Sequence, residues 1–382
     1  MKERKKILRA CTASETLHFM KGILPRLKQQ YEVLLLSSPG EGLDIVCEKY
    51  GIKGYGVHME RHISLFKDFV SLIKLVKLFH QVKPQMVHSI TPKAGLLCMM
   101  AGWLTRVPVR VHTFTGLIWP TTTGIRRRIL MTTDKMTCSF ATHVVPEGEG
   151  VKNDLLNNGI TKKPLKVLGY GNIKGIDLKL FSRRPEVMEI ATRIALASKK
   201  FTFLYVGRLV GDKGINELVA AFLRLNNTMP NSRLVLIGML EERLDPLSED
   251  TQRRIETHPD IEAVGAKGGD ELIAYYAAAD CFVHPSYREG FPNVVLEAGA
   301  MGTPCIVTDI NGSREIIKER ENGVIVPPKD EQALYDAMLK MMTDNDSRQR
   351  MAGNARRMIA DRFDMEFVQQ CLLDFYENIL KD

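Results

Sequence analysis

Residues 281–308 read CFVHPSYREGFPNVVLEAGAMGTPCIVT. The short run Cys281–His284 suits a buried strand. A polar loop carrying Arg288, Glu289 and Gly290 follows. Phe291-Pro292 then opens a helix, because proline's absent N–H costs nothing in the first helical turn. The helical stretch Val294–Met301 gives way to a second apolar run, Pro304–Thr308. Strand, helix and strand, with continuous apolar strands, describe a parallel sheet covered on both faces. The alternation continues outward through the strand-like runs Phe201–Val206, Arg233–Ile237 and Val324–Val326, and the helix-like runs Asn216–Leu225 and Glu271–Ala278. The first half repeats it at Lys6–Arg9, Glu32–Leu36, Gln85–His88, Val109–His112 and His143–Val145. The Gly/Asn-rich segment LGYGNIKG at Leu168–Gly175 reads as the boundary. The expected fold is α/β, with two Rossmann-like domains whose parallel sheets face a central cleft and bind ligands at the strands' carboxyl ends.

Composition narrows the class. Apolar residues are 45% and charged residues 26% of the chain, which excludes a disordered protein. The 7 Cys form no C-x-x-C pair, so neither a disulfide frame nor a zinc site is expected. No apolar run is long enough for a membrane-spanning helix. Residues 1–180 carry 28 Lys and Arg against 13 Asp and Glu; residues 181–382 carry 25 against 32. The basic half is expected to meet an anionic partner: nucleic acid, a bilayer surface or a phosphorylated substrate. It lacks interleaved aromatics, so nucleic acid is set aside. Ser64–His80 reads as an amphipathic helix packed on the sheet, with Lys67, Ser71, Lys74 and Lys77 in a narrow wet stripe, in preference to a helix lying on lipid. GIRRR at Gly124–Arg128 is a second basic cluster, suited to phosphates or headgroups.

The chemistry gathers around two loops. At the helix start, the N–H groups of Asn293, Val294 and Val295 face outward and suit a diphosphate. Glu297, one turn further in, can hold two neighbouring hydroxyls of a ribose, and Glu289 on the loop can hold those of a second sugar. The other loop, Gly207-Arg208-Leu209-Val210-Gly211-Asp212-Lys213-Gly214, follows its strand directly. Arg208 offers a fork and Lys213 a point charge to a leaving diphosphate.

These residues carry a resemblance. GRLVGDKG at 207–214, AADCFVHPS at 278–286, EGFPNVVLEA at 289–298, GTP at 302–304, GSREII at 312–317 and NGVIVP at 322–327 are similar to the retaining GT-B glycosyltransferases of family 4, also called group 1. VHSITPKAG at 87–95, VHTFTG at 111–116 and GNIKGID at 171–177 resemble the family more loosely. The nearest likeness is to bacterial enzymes acting on lipid-linked oligosaccharides or capsular units. The resemblance implies an acceptor-binding domain over 1–170, a nucleotide-sugar-binding domain over 171–362, and a helix within 363–382 crossing back to the first domain. It implies that Arg208 and Lys213 hold the donor diphosphate, Glu297 the ribose and Glu289 the donor sugar, with Gly290, Phe291, Pro292, Asn293 and Val294 lining the donor site. His112 matches the histidine beside the transferred sugar, and His112 and Glu289 are the implied catalytic pair. His88 and Lys93 would border the same cleft. Where many members have a Gly-Gly loop after the first strand, this chain has Ala10–Thr16, and the Ser14 or Thr16 hydroxyl would stand in for backbone contact.

The implied reaction is retaining transfer, without metal or other cofactor, from a UDP-hexose or UDP-N-acetylhexosamine to a hydroxyl of a polyprenyl-diphosphate-linked glycan. The enzyme would sit on the cytoplasmic face of the plasma membrane, in peripheral contact with anionic lipid. The one D-x-D, Asp344-Asn345-Asp346, reads as a surface turn rather than a metal site. Alternatives are a GT-B sugar-nucleotide epimerase and a dinucleotide-binding oxidoreductase. The latter wants G-x-G-x-x-G after the first strand, and Arg9–Leu17 contains no glycine.

Overall fold

Apolar runs become the strands of two parallel sheets in the computed structural model, which describes residues 4–60, 62, 64–241 and 245–381. The chain divides into one unit of Met1–Gly175 with Glu366–Asp382 and another of Ile176–Met365. In the first unit the strands are β1 (Lys6–Ala10), β2 (Glu32–Ser37), β3 (Lys53–Gly56), β4 (Met86–Ser89), β5 (Val109–Phe114) and β6 (His143–Pro146). They are all parallel, in the order β3-β2-β1-β4-β5-β6. The second unit has β7 (Phe201–Val206), β8 (Ser232–Ile237), β9 (Ile261–Ala263), β10 (Cys281–His284), β11 (Cys305–Thr308) and β12 (Gly323–Val326). These are again parallel, in the order β12-β11-β10-β7-β8-β9. The two strands missing from the sequence reading, β3 and β9, are the outer edge of each sheet, where a strand is short and buried on fewer sides.

The divisions between units fall beyond residues 170 and 362 because two segments pair. Ile176 N–H donates to the Phe363 carbonyl at 2.8 Å, and Met365 N–H donates to the Ile176 carbonyl at 3.0 Å. Residues 366–382 then join the first unit, in the helix Met365–Ile379.

Side chains alternate across each strand, so each sheet has two separate cores. In the first unit Leu8, Ala10, Val87 and Phe114 pack with the helices Leu65–Val82 and Pro92–Leu104. Ile7, Met86, Val111 and Val145 face the other way, against Leu372, Phe375 and Tyr376 of the returning helix.

The helix Leu65–Val82 departs from its sequence reading. Ser71 is not in a wet stripe: it is buried, with its hydroxyl 2.6 Å from the His58 carbonyl and 2.8 Å from that of Lys67. Leu75, Leu78, Phe79 and Val82 are buried, but Leu65, Phe66 and Phe69 are 83%, 79% and 60% exposed. Sheet packing therefore accounts for the later turns only. The first turns present large apolar side chains beside the exposed Lys67.

One buried acid gives the first unit a pH response. Asp134, on the helix Gly124–Phe140, accepts a hydrogen bond from Trp119 Nε1 at 3.0 Å. Burial pushes its carboxyl up to about 7, against the opposing effect of that hydrogen bond. The folded chain thus binds this proton more tightly than the unfolded chain, and stability is lost as pH rises from about 4 to about 7. Asp134→Asn keeps an acceptor for Trp119 and does not ionise. It is expected to raise Tm by about 3–6 °C near pH 8 and to change little near pH 4. Equal shifts at the two pH values would show that this carboxyl does not carry the response.

Candidate active site

β7 and β10 are neighbours in the second sheet, and both active loops leave from their carboxyl ends. Gly214 fixes how closely these loops approach. Its φ is +70°, and a Cβ there would stand 2.2 Å from the Pro285 carbonyl oxygen. Any other residue would drive the loops apart. Tyr287 N–H donates to the Asp212 carbonyl at 2.9 Å, and Arg288 Nη2 meets Asp212 Oδ2 at 2.9 Å.

The stitched loops bring Lys213 onto Glu289. Lys213 Nζ forms an ion pair with Glu289 Oε1, and His284 Nε2 stands 3.4 Å from the same oxygen. Burial acts to raise the Glu289 carboxyl, but Lys213, His284 and hydrogen bonds outweigh it and hold the group below its usual range. Burial lowers His284 to about 4, so this imidazole is neutral near pH 7. The sequence assigns Lys213 and Glu289 separate contacts, to diphosphate and to sugar; in the structure they form one ionic unit. A diphosphate reaching Lys213 competes with that carboxylate. Arg208 is likewise engaged, its Nη1 2.5 Å from Glu241 Oε2, with the side chain 54% exposed.

The helix start differs in detail from its reading. Pro292 is the N-cap, with extended backbone, and the helix runs Asn293–Ala300. Val295 N–H donates to the Pro292 carbonyl at 3.1 Å, so Val295 drops out of the anion site. Asn293 and Val294 are half-buried at the first turn, and Gly290 and Pro292 are buried. Phe291 belongs to the core, its ring meeting Phe363 edge-on at 5.3 Å, so it offers the site only backbone. Glu297 is 9% exposed, and its Oε2 accepts from the Tyr276 hydroxyl at 3.0 Å. Gly312 lets a further turn close on this loop, since a Cβ there would lie 2.4 Å from the Gly290 carbonyl oxygen. Asp344 caps the helix Asn345–Phe363, accepting from Ser347 N–H at 3.0 Å.

Of the four residues expected near His112, register separates His88 from it. In register, Ser89 is opposite His112, so His88 projects from the other face of the sheet. His112 is 1% exposed and bonded through Nδ1 to Ser89 Oγ at 2.9 Å. Burial lowers it to about 3, with a hydrogen bond to the Ser89 backbone opposing. The helix Pro92–Leu104 lies so close that a Cβ on Gly95 would stand 2.4 Å from the imidazole. His88 is buried beneath the returning helix, bonded to Tyr376 and Thr113. Lys93 forms an ion pair with Asp68 at 2.5 Å. Ser14 is buried against Gly40, where an added Cβ would meet its Oγ at 2.5 Å. Thr16 is half-buried in the turn Ser14–Phe19.

Comparison with known proteins bears on this geometry. Over 382 residues the chain is 30% identical to "Capsular polysaccharide biosynthesis glycosyltransferase CapM" of Staphylococcus aureus, covering 100% of this chain and 99% of that protein. The chain belongs to the group 1 glycosyltransferases. Residues 188–358 match the family model described as glycosyl transferases group 1, and residues 22–171 match a glycosyl transferase 4-like domain. This glycosyltransferase is also 29% identical to an Escherichia coli UDP-Gal:alpha-D-GlcNAc-diphosphoundecaprenol alpha-1,3-galactosyltransferase, over 88% of each chain. A crystal structure of Anabaena HepE in complex with UDP and glucose superposes with a TM-score of 0.80 at 19% identity, covering 98% of this chain and 100% of that one. That likeness fixes the fold as GT-B.

Three residues of this candidate site were not singled out by sequence reasoning. Asp212 ties the loops together and lies inside the GRLVGDKG motif, where its spacing from Lys213 was visible. His284 ends a strand and reads there as core. Tyr276 lies on the helix Gly269–Ala278, where an aromatic signals only packing; its bond to Glu297 appears once that helix is placed.

Proposed function

We propose that the protein is a retaining, metal-independent glycosyltransferase of bacterial surface-glycan assembly. It moves a hexose or N-acetylhexosamine from a UDP-sugar to a hydroxyl of a polyprenyl-diphosphate-linked glycan. The observation that carries the donor half is the Lys213–Glu289–His284 cluster, locked at adjacent strand ends by Gly214. Lys213 and Arg208 stabilise negative charge as the nucleoside diphosphate departs, and Glu297, steadied by Tyr276, holds the ribose. Two cations on one loop support a metal-free departure, since they supply the charge a divalent ion otherwise brings. Full-length similarity to a capsule enzyme and to one acting on a diphosphoundecaprenol acceptor supports the acceptor class.

The first unit meets the bilayer at its cytoplasmic face. Support comes from the exposed Leu65, Phe66 and Phe69 beside Lys67, and from the basic excess of this half. The test is transfer from labelled UDP-sugars to a polyprenyl-diphosphate glycan in anionic vesicles, with and without chelator. Turnover is expected to persist with chelator and to give a product of unchanged anomeric configuration. An inverted product, or loss of turnover with chelator, would reject the mechanism; equal rates on a soluble sugar would reject the acceptor. In the same vesicles, the double variant Phe66→Ser, Phe69→Ser is expected to weaken co-sedimentation about tenfold or more. Unchanged binding would reject the helix face.

A further inference from the structure

A cavity in the first unit plays no part in the chemistry above. It lies against β1, β4 and β5, under Leu168 and under Leu372 of the returning helix, and Arg9, His88, Thr113 and Glu147 give it polar walls. Its volume is about 20 Å³, room for one guest the size of a water molecule. Arg9 is 3% exposed, and its Nη1 donates to the Tyr376 hydroxyl at 2.8 Å. Arg9 Nε is buried with no hydrogen-bond partner.

The hydrogen bonds have a direction. Arginine has only donors, so the Tyr376 oxygen accepts from Arg9 and gives its own proton to His88 Nδ1. His88 is then protonated on Nε2 and donates to Thr113 Oγ1 at 2.7 Å. That tautomer requires a neutral ring, and burial holds His88 well below its ordinary range. The Thr113 hydroxyl proton is what remains. Both ends of the relay, Arg9 Nε–H and Thr113 O–H, are therefore donors on one cavity wall. A guest there must accept hydrogen bonds. The buried guanidinium aims an unpartnered N–H at the cavity, which favours a negative guest over water. A volume this small favours a compact guest over phosphate, sulfate or a carboxylate, and Glu147 in the lining disfavours more than one negative charge.

We propose that this cavity is a binding site for one small monovalent anion of the halide class, held by Arg9 and Thr113 beneath the returning helix. The anion completes the buried polar relay and so stabilises the docking of residues 366–382 on their own unit. The test compares thermal unfolding in about 0.1 M sodium chloride or bromide with the same ionic strength of sodium gluconate, whose anion is too large to enter. A halide at about a hundred times its dissociation constant is expected to raise the wild-type midpoint by about 5 °C. Arg9→Met and the shape-preserving Thr113→Val are expected to lose that difference, the second keeping the test informative if the first does not fold. Crystals grown in bromide are expected to show anomalous density at hydrogen-bonding distance from Arg9 Nε. Identical wild-type midpoints in halide and gluconate would overturn the proposal. So would a full halide effect in Thr113→Val, or water alone at the site in bromide crystals.

Discussion

Lys213→Ala is expected to lower kcat/KM for sugar transfer by about a thousandfold, the range found when a preorganised charge partner of a transition state is removed. Two losses combine. The departing diphosphate loses a fixed cation, and Glu289 loses the ion pair that offsets its burial. With only His284 and the Ser286 hydrogen bond left to oppose burial, the Glu289 carboxyl moves upward, and activity should fall further as pH is lowered. Lys213→Arg keeps the charge but not the point geometry, and is expected to recover part of the rate. Steady-state kinetics against UDP-sugar concentration read both effects. Activity of Lys213→Ala within about threefold of wild type, in a variant with unchanged Tm, would remove Lys213 from the donor site.

Glu297→Ala carries the second-largest effect. Loss of a charged, hydroxyl-binding carboxylate is expected to weaken UDP binding about 10- to 100-fold, measured by calorimetry. Tyr276→Phe separates contact from positioning. It leaves the carboxylate in place but removes the 3.0 Å hydrogen bond that steadies it. It is expected to raise the donor KM about three- to fivefold with little change in kcat. UDP affinity unaltered in Glu297→Ala would mean that the ribose is held elsewhere. A Tyr276→Phe defect as large as that of Glu297→Ala would show that the tyrosine touches the donor itself.

Much of the second unit was legible in the chain because its signals are local. A strand followed by a glycine-bearing loop and a helix is encoded within about thirty residues, and the strand end places Arg208, Lys213, Glu289 and Glu297 without reference to distant segments. The first unit was harder. Its glycine-poor loop after β1 gave no phosphate signature, and Ser14 turned out to be covered by Gly40. The helix Leu65–Val82 shows a second limit. Its pattern fits both sheet packing and an exposed apolar surface, and the structure divides the two between turns: the later ones are buried, while Leu65, Phe66 and Phe69 are exposed.

Apolar periodicity and the residues at strand ends were enough to determine two parallel sheets, their central strands and the charged and polar character of the loops that follow β7 and β10. Those properties depend on neighbours along the chain. Tertiary structure alone decided that His88 and His112 lie on opposite faces, that Lys213 is bound to Glu289, and that Tyr376 of the last helix closes a relay begun at Arg9. Each depends on register or approach between segments far apart in sequence, set by how whole elements pack against one another.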